Sequence, residues 1–476
     1  MDPRLVEDVV ALAPNQLGML FQILANPGSA IYLEQMVGAL RGPLDADAFH
    51  QAWQLAVDRH DTLRSAFVWQ GLRQPVQVVH RAAAVEMRQL DWRGLAAAEQ
   101  AVRTERFLAD DRRRGFDLAC PPLTRICLLR LADDLYTLVW TSYHLVIDAW
   151  CVSVLLREVL SDYEGCRVGS VVRRPPAPRY RDYVRWLKDR APSGDETFWR
   201  QALAGFSSPT PLPGCTPATD SAADPEALER LQLPVAPAAA AALAALIRAR
   251  RLSLHAAMAG AWALVLGEWS GQQEVVFGTV VSGRPAELPG VDRMVGLFIN
   301  TLPVRVRIQP ASPAVEWLRE IQTAQRESQR FEHTPFGRIQ AWSEVPAGEP
   351  LAASLLVLFN VVDLAAAAPS LRISYLRDVA RSSFPLVVRV YAEPELRLEM
   401  LYDPHRLGRA TVAGRLGSLA GVLAAVAADP DQPVAALSAR LRENGRAERE
   451  RQARDRRAAA GLRLKRGATG AAPAGT

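Results

Sequence analysis

The sequence is poor in cysteine, lacks a long apolar run and carries no nucleotide signature. Its five cysteines (Cys120, Cys127, Cys151, Cys166 and Cys215) are odd in number and include no CxxC pair. This excludes a disulfide framework or a cysteine-built zinc site and predicts reduced, mostly buried thiols. The longest uncharged stretch that reads as helix, Leu252 to Gly267, contains His255. It is shorter than the ~18–20 apolar residues of a membrane span, so a buried helix is expected. Met1-Asp2-Pro3-Arg4 leads into no apolar segment of the kind a secretion signal carries, and a cytoplasmic location is the expectation. There is no GxxxxGK[ST] loop, no GxGxxG, no HExxH and no GxSxG, and the seven histidines are scattered. Binding of ATP, a dinucleotide or a metal by this chain is therefore not expected.

What is present is an ordinary globular composition, 49% hydrophobic and 22% charged over 476 residues. That excludes disorder of the whole chain and predicts two or three domains or lobes. The net charge of +5 is uneven. Residues from Leu441 onward hold ten basic and four acidic side chains, which leaves the preceding 440 residues with 46 basic and 47 acidic groups. A near-neutral body argues against nucleic-acid binding by the fold. The basic stretch has few large apolar residues to bury, and it reads as a charged helix to about Ala460 followed by a flexible end.

Hydrophobic spacing gives mixed α and β structure. Leu44 to Asp58 carries Phe49, Trp53, Ala56 and Val57 at helical spacing. Pro75 to His80 reads as a strand, and Thr124 to Leu131 and Leu135 to Thr141 read as a hairpin. A helix over Ala149 to Tyr163 follows. Prolines then interrupt the chain at 173–178 and again at 206–224. Pro237 to Arg250 is an alanine-rich helix, and Ser253 is placed to cap the next one. Strands are expected at 274–281, 302–308, 354–362, 384–391 and 396–402, with helices at 313–329 and 407–427. The order of elements recurs loosely and suggests two similarly built lobes.

The informative segment is Trp140 to Trp150 (WTSYHLVIDAW). A strand ends at His144, and Asp148 follows at the start of a helix. A neutral imidazole suits proton transfer near pH 7. On spacing alone, a structural histidine is the commoner origin of such a pattern. Other segments stand in a fixed order around it: LAPNQLGMLF (12–21), RHDTLRSAF (59–67), YRDYVRW (180–186), VGLFINTLP (295–303) with Arg305, HTPF (333–336) and RSSFPL (381–386).

In this order the segments resemble the motifs of nonribosomal peptide synthetase condensation domains, with Trp140 to Trp150 in the place of their HHxxxDG core. The resemblance spans about residues 5–435. It implies an α/β fold of two chloramphenicol-acetyltransferase-like lobes arranged as a V, with a tunnel at the junction. The lobes would cover 1–190 and 191–440, with a basic tail or linker over 441–476. It implies amide formation between a carrier-bound acyl or peptidyl thioester and the amine of a carrier-bound aminoacyl thioester. Both substrates would ride on the phosphopantetheine of upstream and downstream peptidyl carrier proteins, and the chain itself would bind no cofactor and no metal. His144 would be the catalytic residue. Asp148 would pair with Arg64 to shape the site, and Asn300 and Ser383 would line the tunnel or stabilise its loops. Two positions depart from the motif: Tyr143 stands for its first histidine and Ala149 for its glycine. Relatives with altered motifs serve as recruitment platforms for tailoring oxygenases, such as β-hydroxylases and P450s that act on carrier-bound amino acids. That is the alternative reading. An adenylation domain is a further possible neighbour, and no contact with nucleic acid or membrane is expected.

Overall fold

In the computed structural model the described residues are 2–170, 173–190, 194–216, 228–359, 368–379, 383–393 and 395–446. The expected charged tail beyond residue 446 lies outside them, as do Arg381 and Ser382 of the RSSFPL segment.

The first lobe runs β1 (Val6–Ala11), α1 (Pro14–Ala25), β2 (Leu33–Arg41), α2 (Ala46–Arg59), β3 (Ser65–Val68), β4 (Val76–His80), β5 (Glu86–Asp91), α3 (Ala97–Arg114), β6 (Thr124–Ala132), β7 (Leu135–Tyr143) and α4 (Ala149–Arg167). Two connecting helices follow, α5 (Tyr180–Asp189) and α6 (Asp195–Leu203). The second lobe continues with β8 (Glu229–Pro234), α7 (Pro237–Arg250), α8 (Leu254–Ser270), β9 (Glu274–Val281), β10 (Asn300–Arg307), α9 (Ala314–Gln329) and α10 (Phe336–Trp342). It ends with β11 (Ser354–Phe359), β12 (Arg372–Val379), β13 (Leu386–Tyr391), β14 (Arg397–Tyr402) and α11 (Arg409–Ala428).

The helix over 44–58 forms as α2 because its apolar residues recur every three or four positions. Phe49, Ala52, Trp53, Ala56 and Val57 are buried, and Asp45 caps the start by accepting from the Asp47 and Ala48 amides at 3.0 Å. Trp53 meets Trp140 of the sheet at 4.7 Å between ring centroids. The sheet is covered on its other side by Leu108 of α3, which packs on Val37, Cys127, Leu129 and Val139. In the second lobe, α8 is buried nearly all round, and Ser253 caps it by accepting from the Ala256 amide. The sequence of α11 is long and apolar enough to cross a membrane. Its Val412, Leu416, Leu419, Val422, Leu423 and Val426 instead pack in the second-lobe core.

Among the described residues the strands make three sheets: β1-β4-β3, β12-β2-β7-β6-β5 and β10-β9-β11-β13-β14-β8. The second of these joins the lobes, because β12 belongs by sequence to the second half yet pairs antiparallel with β2. In the third sheet, Leu356, Val388, Val390, Leu398 and Met400 face the α7/α8/α11 core. The alternate residues Leu355, Val387 and Leu401 form a separate cluster on the opposite face, as the period-2 alternation of strands requires.

Burial corrects one expectation. Only Cys127 and Cys151 are buried; Cys166 and Cys215 are partly exposed and Cys120 is exposed. Cys120 sits in the turn between α3 and β6, ahead of Pro121 and Pro122, where the chain runs along the surface.

Candidate active site

The site is built where β7 ends and α4 begins. Strand β7 lies beside β2 with Leu33 opposite Tyr143 and Glu34 opposite Ser142. The backbone then leaves the sheet, and the His144 amide donates to Tyr32 O at 2.8 Å. Tyr32 itself has φ +60°. The next carbonyl, Leu145 O, accepts from Gln16 Nε2 of α1 at 2.8 Å. Nδ1 of His144 lies 2.7 Å from Ile147 O, so a local contact fixes the ring. Nε2 lies 3.1 Å from Oε1 of Glu34, and both side chains are only 13% exposed. Burial pushes the Glu34 carboxyl above its usual range. His144 and Arg389 pull it back down, and Asp378 and Asp148 push it further up.

Asp148 is the N-cap of α4 and is fully buried. One of its oxygens accepts from the Cys151 amide at 3.0 Å and from Arg284 Nη2 at 3.2 Å, and the other accepts from the Phe298 amide at 3.1 Å. The cap of a first-lobe helix is thereby tied to two segments of the second lobe. Arg284 also donates to Val291 O and Met294 O, and its guanidinium lies 3.9 Å from the Phe298 ring centroid.

The expected Arg64–Asp148 pair does not form. Arg64 lies in the turn after α2 and bonds locally, to Val57 O at 3.2 Å, to His80 O and to Glu7 Oε2 at 2.8 Å. With Glu7, Asp61 and Arg174 it lines a polar cavity of about 440 Å³. The partner of Asp148 comes instead from residue 284, in an irregular Ser-Gly-Arg-Pro segment just after β9.

The other candidates separate by role. Nδ2 of Asn300 donates to Glu332 O at 2.7 Å and Thr334 O at 2.6 Å, while Oδ1 accepts from the Thr301 amide. Its amide is committed to the loop. Ser383 is exposed, and from the other lobe it counters part of the upward push that burial gives the Tyr32 phenol. Tyr143 is buried, with its ring 5.7 Å from that of Phe116. Ala149 is the exposed first residue of α4, with no positive φ. A methyl group there carries no backbone strain.

Three residues that matter here were not singled out from the sequence: Glu34, Arg284 and Tyr32. Glu34 had a weak signal, since Glu34-Gln35 is a polar pair in a strand that is otherwise apolar up to Leu40. Arg284 had another, as an arginine held between glycine and proline.

The segment 294–300 is the common partner of residues around the site from the first lobe and from the connecting helix α5. Asn15 Nδ2 donates to Ile299 O, Thr62 Oγ1 to Val295 O and Tyr180 Oη to Leu297 O, at 2.7, 3.0 and 2.5 Å. Gly283 fits against it with φ +62°, and a Cβ there would lie 1.9 Å from Phe298 O. Gly283→Ala is expected to destabilise the fold by at least ~1–3 kcal/mol, through collision and a disfavoured φ. Chemical denaturation checks it, and an unchanged midpoint would contradict the close approach.

The Glu332 carboxyl, beside this segment, is pushed up to about 7 by burial, then by the Glu287 charge, against a hydrogen bond from the Gly283 amide. The folded chain therefore holds a proton there that the unfolded chain has released, and stability falls as pH rises from the ordinary glutamate range to about 7. Glu332→Gln is expected to raise the melting temperature at pH 8 and leave it unchanged near pH 4. Equal shifts at both values would contradict the assignment.

Comparisons with known proteins bear on the family and on the fold. The condensation domain family model matches residues 6–444. The chain is 38% identical over 437 residues to a linear gramicidin synthase component of Brevibacillus parabrevis, covering 91% of this chain and 8% of that protein. It is 34% identical over 419 residues to chondramide synthase cmdD of Chondromyces crocatus, covering 86% of this chain and 10% of that protein. The chain thus spans about a tenth or less of these relatives. Among solved structures, the starter condensation domain of rhizomide synthetase superposes with a TM-score of 0.77 at 19% identity, covering 90% of this chain and 96% of that one. The X-domain from teicoplanin biosynthesis superposes with a TM-score of 0.74 at 24% identity, covering 90% and 97%. These two likenesses concern the fold. With the family model matched over nearly the whole chain, the chain belongs to the condensation domain family.

Proposed function

We propose that this chain forms an amide bond between two carrier-bound substrates, at a tunnel between lobes covering about residues 1–190 and 191–440. The observation that carries the reading is the setting of His144. Its Nδ1 is used by Ile147 O, which leaves Nε2 as the nitrogen available for chemistry, and the residues around it tie the two lobes together. The amine nitrogen of a downstream aminoacyl thioester attacks the carbonyl carbon of an upstream acyl or peptidyl thioester. The C–N bond forms, the C–S bond breaks, and the donor carrier leaves with a free phosphopantetheine thiol. A thioester is already activated, so the step draws on no ATP. His144 is the proton-handling residue. Asp148 and Arg284 hold the loop that presents it, and Ser383 and Asn300 shape the walls. The test is incubation with donor- and acceptor-loaded carrier proteins, followed by the mass of the acceptor carrier.

A second reading, a recruitment platform for a tailoring oxygenase, is favoured by Tyr143 and Ala149, where the chain departs from the family motif. A structure described as a complex of the X-domain and OxyB from teicoplanin biosynthesis superposes with a TM-score of 0.73. The local geometry gives this reading less support, because Ala149 sits unstrained and exposed on its helix and Tyr143 is packed. Tyr143→His combined with Ala149→Gly is expected to leave amide formation equal or higher, with at most ~1 kcal/mol of helix stability lost at residue 149. Loss of activity in that double variant would show that the two departures are part of this chain's own mechanism.

A further inference from the structure

A carbonyl oxygen only accepts hydrogen bonds, so the contact with Ile147 O places a proton on Nδ1 of His144. In the neutral ring, Nε2 then presents a lone pair, and 3.1 Å away stands Oε1 of Glu34. An ionised carboxylate facing a lone pair at that distance is repelled. One proton between the two atoms turns the repulsion into attraction, and the low exposure of both side chains limits screening by water. The surroundings supply little other compensation. Asp378 of β12 and Asp148 at the N-cap of α4 oppose a charge on Glu34, while Arg389 of β13 favours it. Arg389 is itself held by Asp378 at 2.9 Å and by Glu399 at 3.3 Å. The hydroxyl of Ser142, opposite Glu34 in the sheet, is directed to Leu123 O. The Tyr32 phenol is engaged with Ser383.

We propose that Glu34 and His144 act as a unit that holds one proton, and that this unit takes up the proton an incoming ammonium group must lose before it attacks. The inference rests on the amide-forming reading and assigns Glu34 as the positioning residue for His144. Once the unit has released its proton to solvent, an acceptor R–NH3+ gives it a new one, held between Oε1 and Nε2, and becomes R–NH2. After the C–N bond forms, the surplus proton on that nitrogen goes to the departing sulfur as the C–S bond breaks. The proton stored on the unit returns to solvent, and the cycle closes without oxidant or metal.

The test has two arms on the full chain. In the first, the Glu34 carboxyl carbon is titrated by NMR in wild type and in His144→Gln. The expected result is a midpoint about one pH unit or more higher in the variant, because the imidazole that favours the ionised form is gone. Identical midpoints would overturn the proposal. In the second, Glu34→Gln is expected to slow amide formation about tenfold or more near pH 7. The rate should recover at high pH, where the amine loses its proton unaided, and Glu34→Asp should keep the wild-type pH dependence. A Glu34→Gln variant with wild-type rate and profile would overturn the proposal. Wild type that forms no amide would refute the amide-forming reading instead, and the carboxyl titration would then decide the one-proton unit by itself.

Discussion

Replacing His144 by alanine is expected to lower the rate of acceptor-carrier acylation by at least ~10²-fold, the usual lower size of a general acid–base contribution. The expectation follows from the ring's two nitrogens. Nδ1 is anchored by Ile147 O, and Nε2 is the nitrogen whose neighbour, Glu34, is also titratable. Alanine removes both the anchor and the proton carrier. The imidazole is partly buried and its loop is held independently by the His144 amide on Tyr32 O and by Gln16 on Leu145 O. The loss is therefore expected in turnover rather than in folding, and a melting curve close to that of wild type is part of the prediction. A platform acting through an outer surface would tolerate the same substitution.

Asp148→Ala is expected to show the largest loss of stability among the site variants, roughly 3–5 kcal/mol, because it removes one partner of a buried ion pair. Arg284 is 4% exposed and Asp148 fully buried. Without the carboxylate, the guanidinium is left with the Val291 and Met294 carbonyl oxygens, the Cys151 sulfur and the Trp150 and Phe298 rings. The Phe298 and Cys151 amides lose their acceptor as well. Glu7→Ala is expected to cost less, since the Glu7 side chain at Arg64 is 23% exposed and more accessible pairs contribute less. Urea unfolding of the three proteins checks this order. A midpoint for Asp148→Ala equal to that of wild type would contradict the role of the pair as the clamp between lobes.

The motifs were legible in the sequence for one physical reason. Asn15, Thr62, Asp148 and Tyr180 stand in four separated segments, and each places a side chain on the strip from 294 to 300. A contact of that kind requires a particular residue type at one position, so it leaves a readable pattern. The amphipathic helices were legible as well, since α2 and α9 each bury one stripe. The helix at α1 was harder to read, because it keeps Phe21 exposed while burying Gln16, which blurs its apolar stripe. Helix α3 buries only Leu108. Strand β12 was hidden by topology: its partner β2 lies more than 300 residues earlier, and nothing local marks that pairing. The partner of Asp148 was misread for the same reason. Arg64 lies in a motif of its own and Arg284 does not, yet the fold brings Arg284 to the carboxylate. Glu34 was missed because its significance depends on which side chain stands beside it in the folded chain.

The central claim is that this junction joins two carrier-bound substrates. The most direct measurement is the intact mass of an acceptor carrier protein, loaded with an aminoacyl thioester and incubated with the chain and a donor-loaded carrier. The account predicts that the acceptor gains the mass of the donor acyl or peptidyl group while the donor carrier returns to its free-thiol mass, and that both changes vanish with His144→Ala. Carriers that keep their starting masses with wild type, across donors and acceptors of matched chemistry, would contradict it.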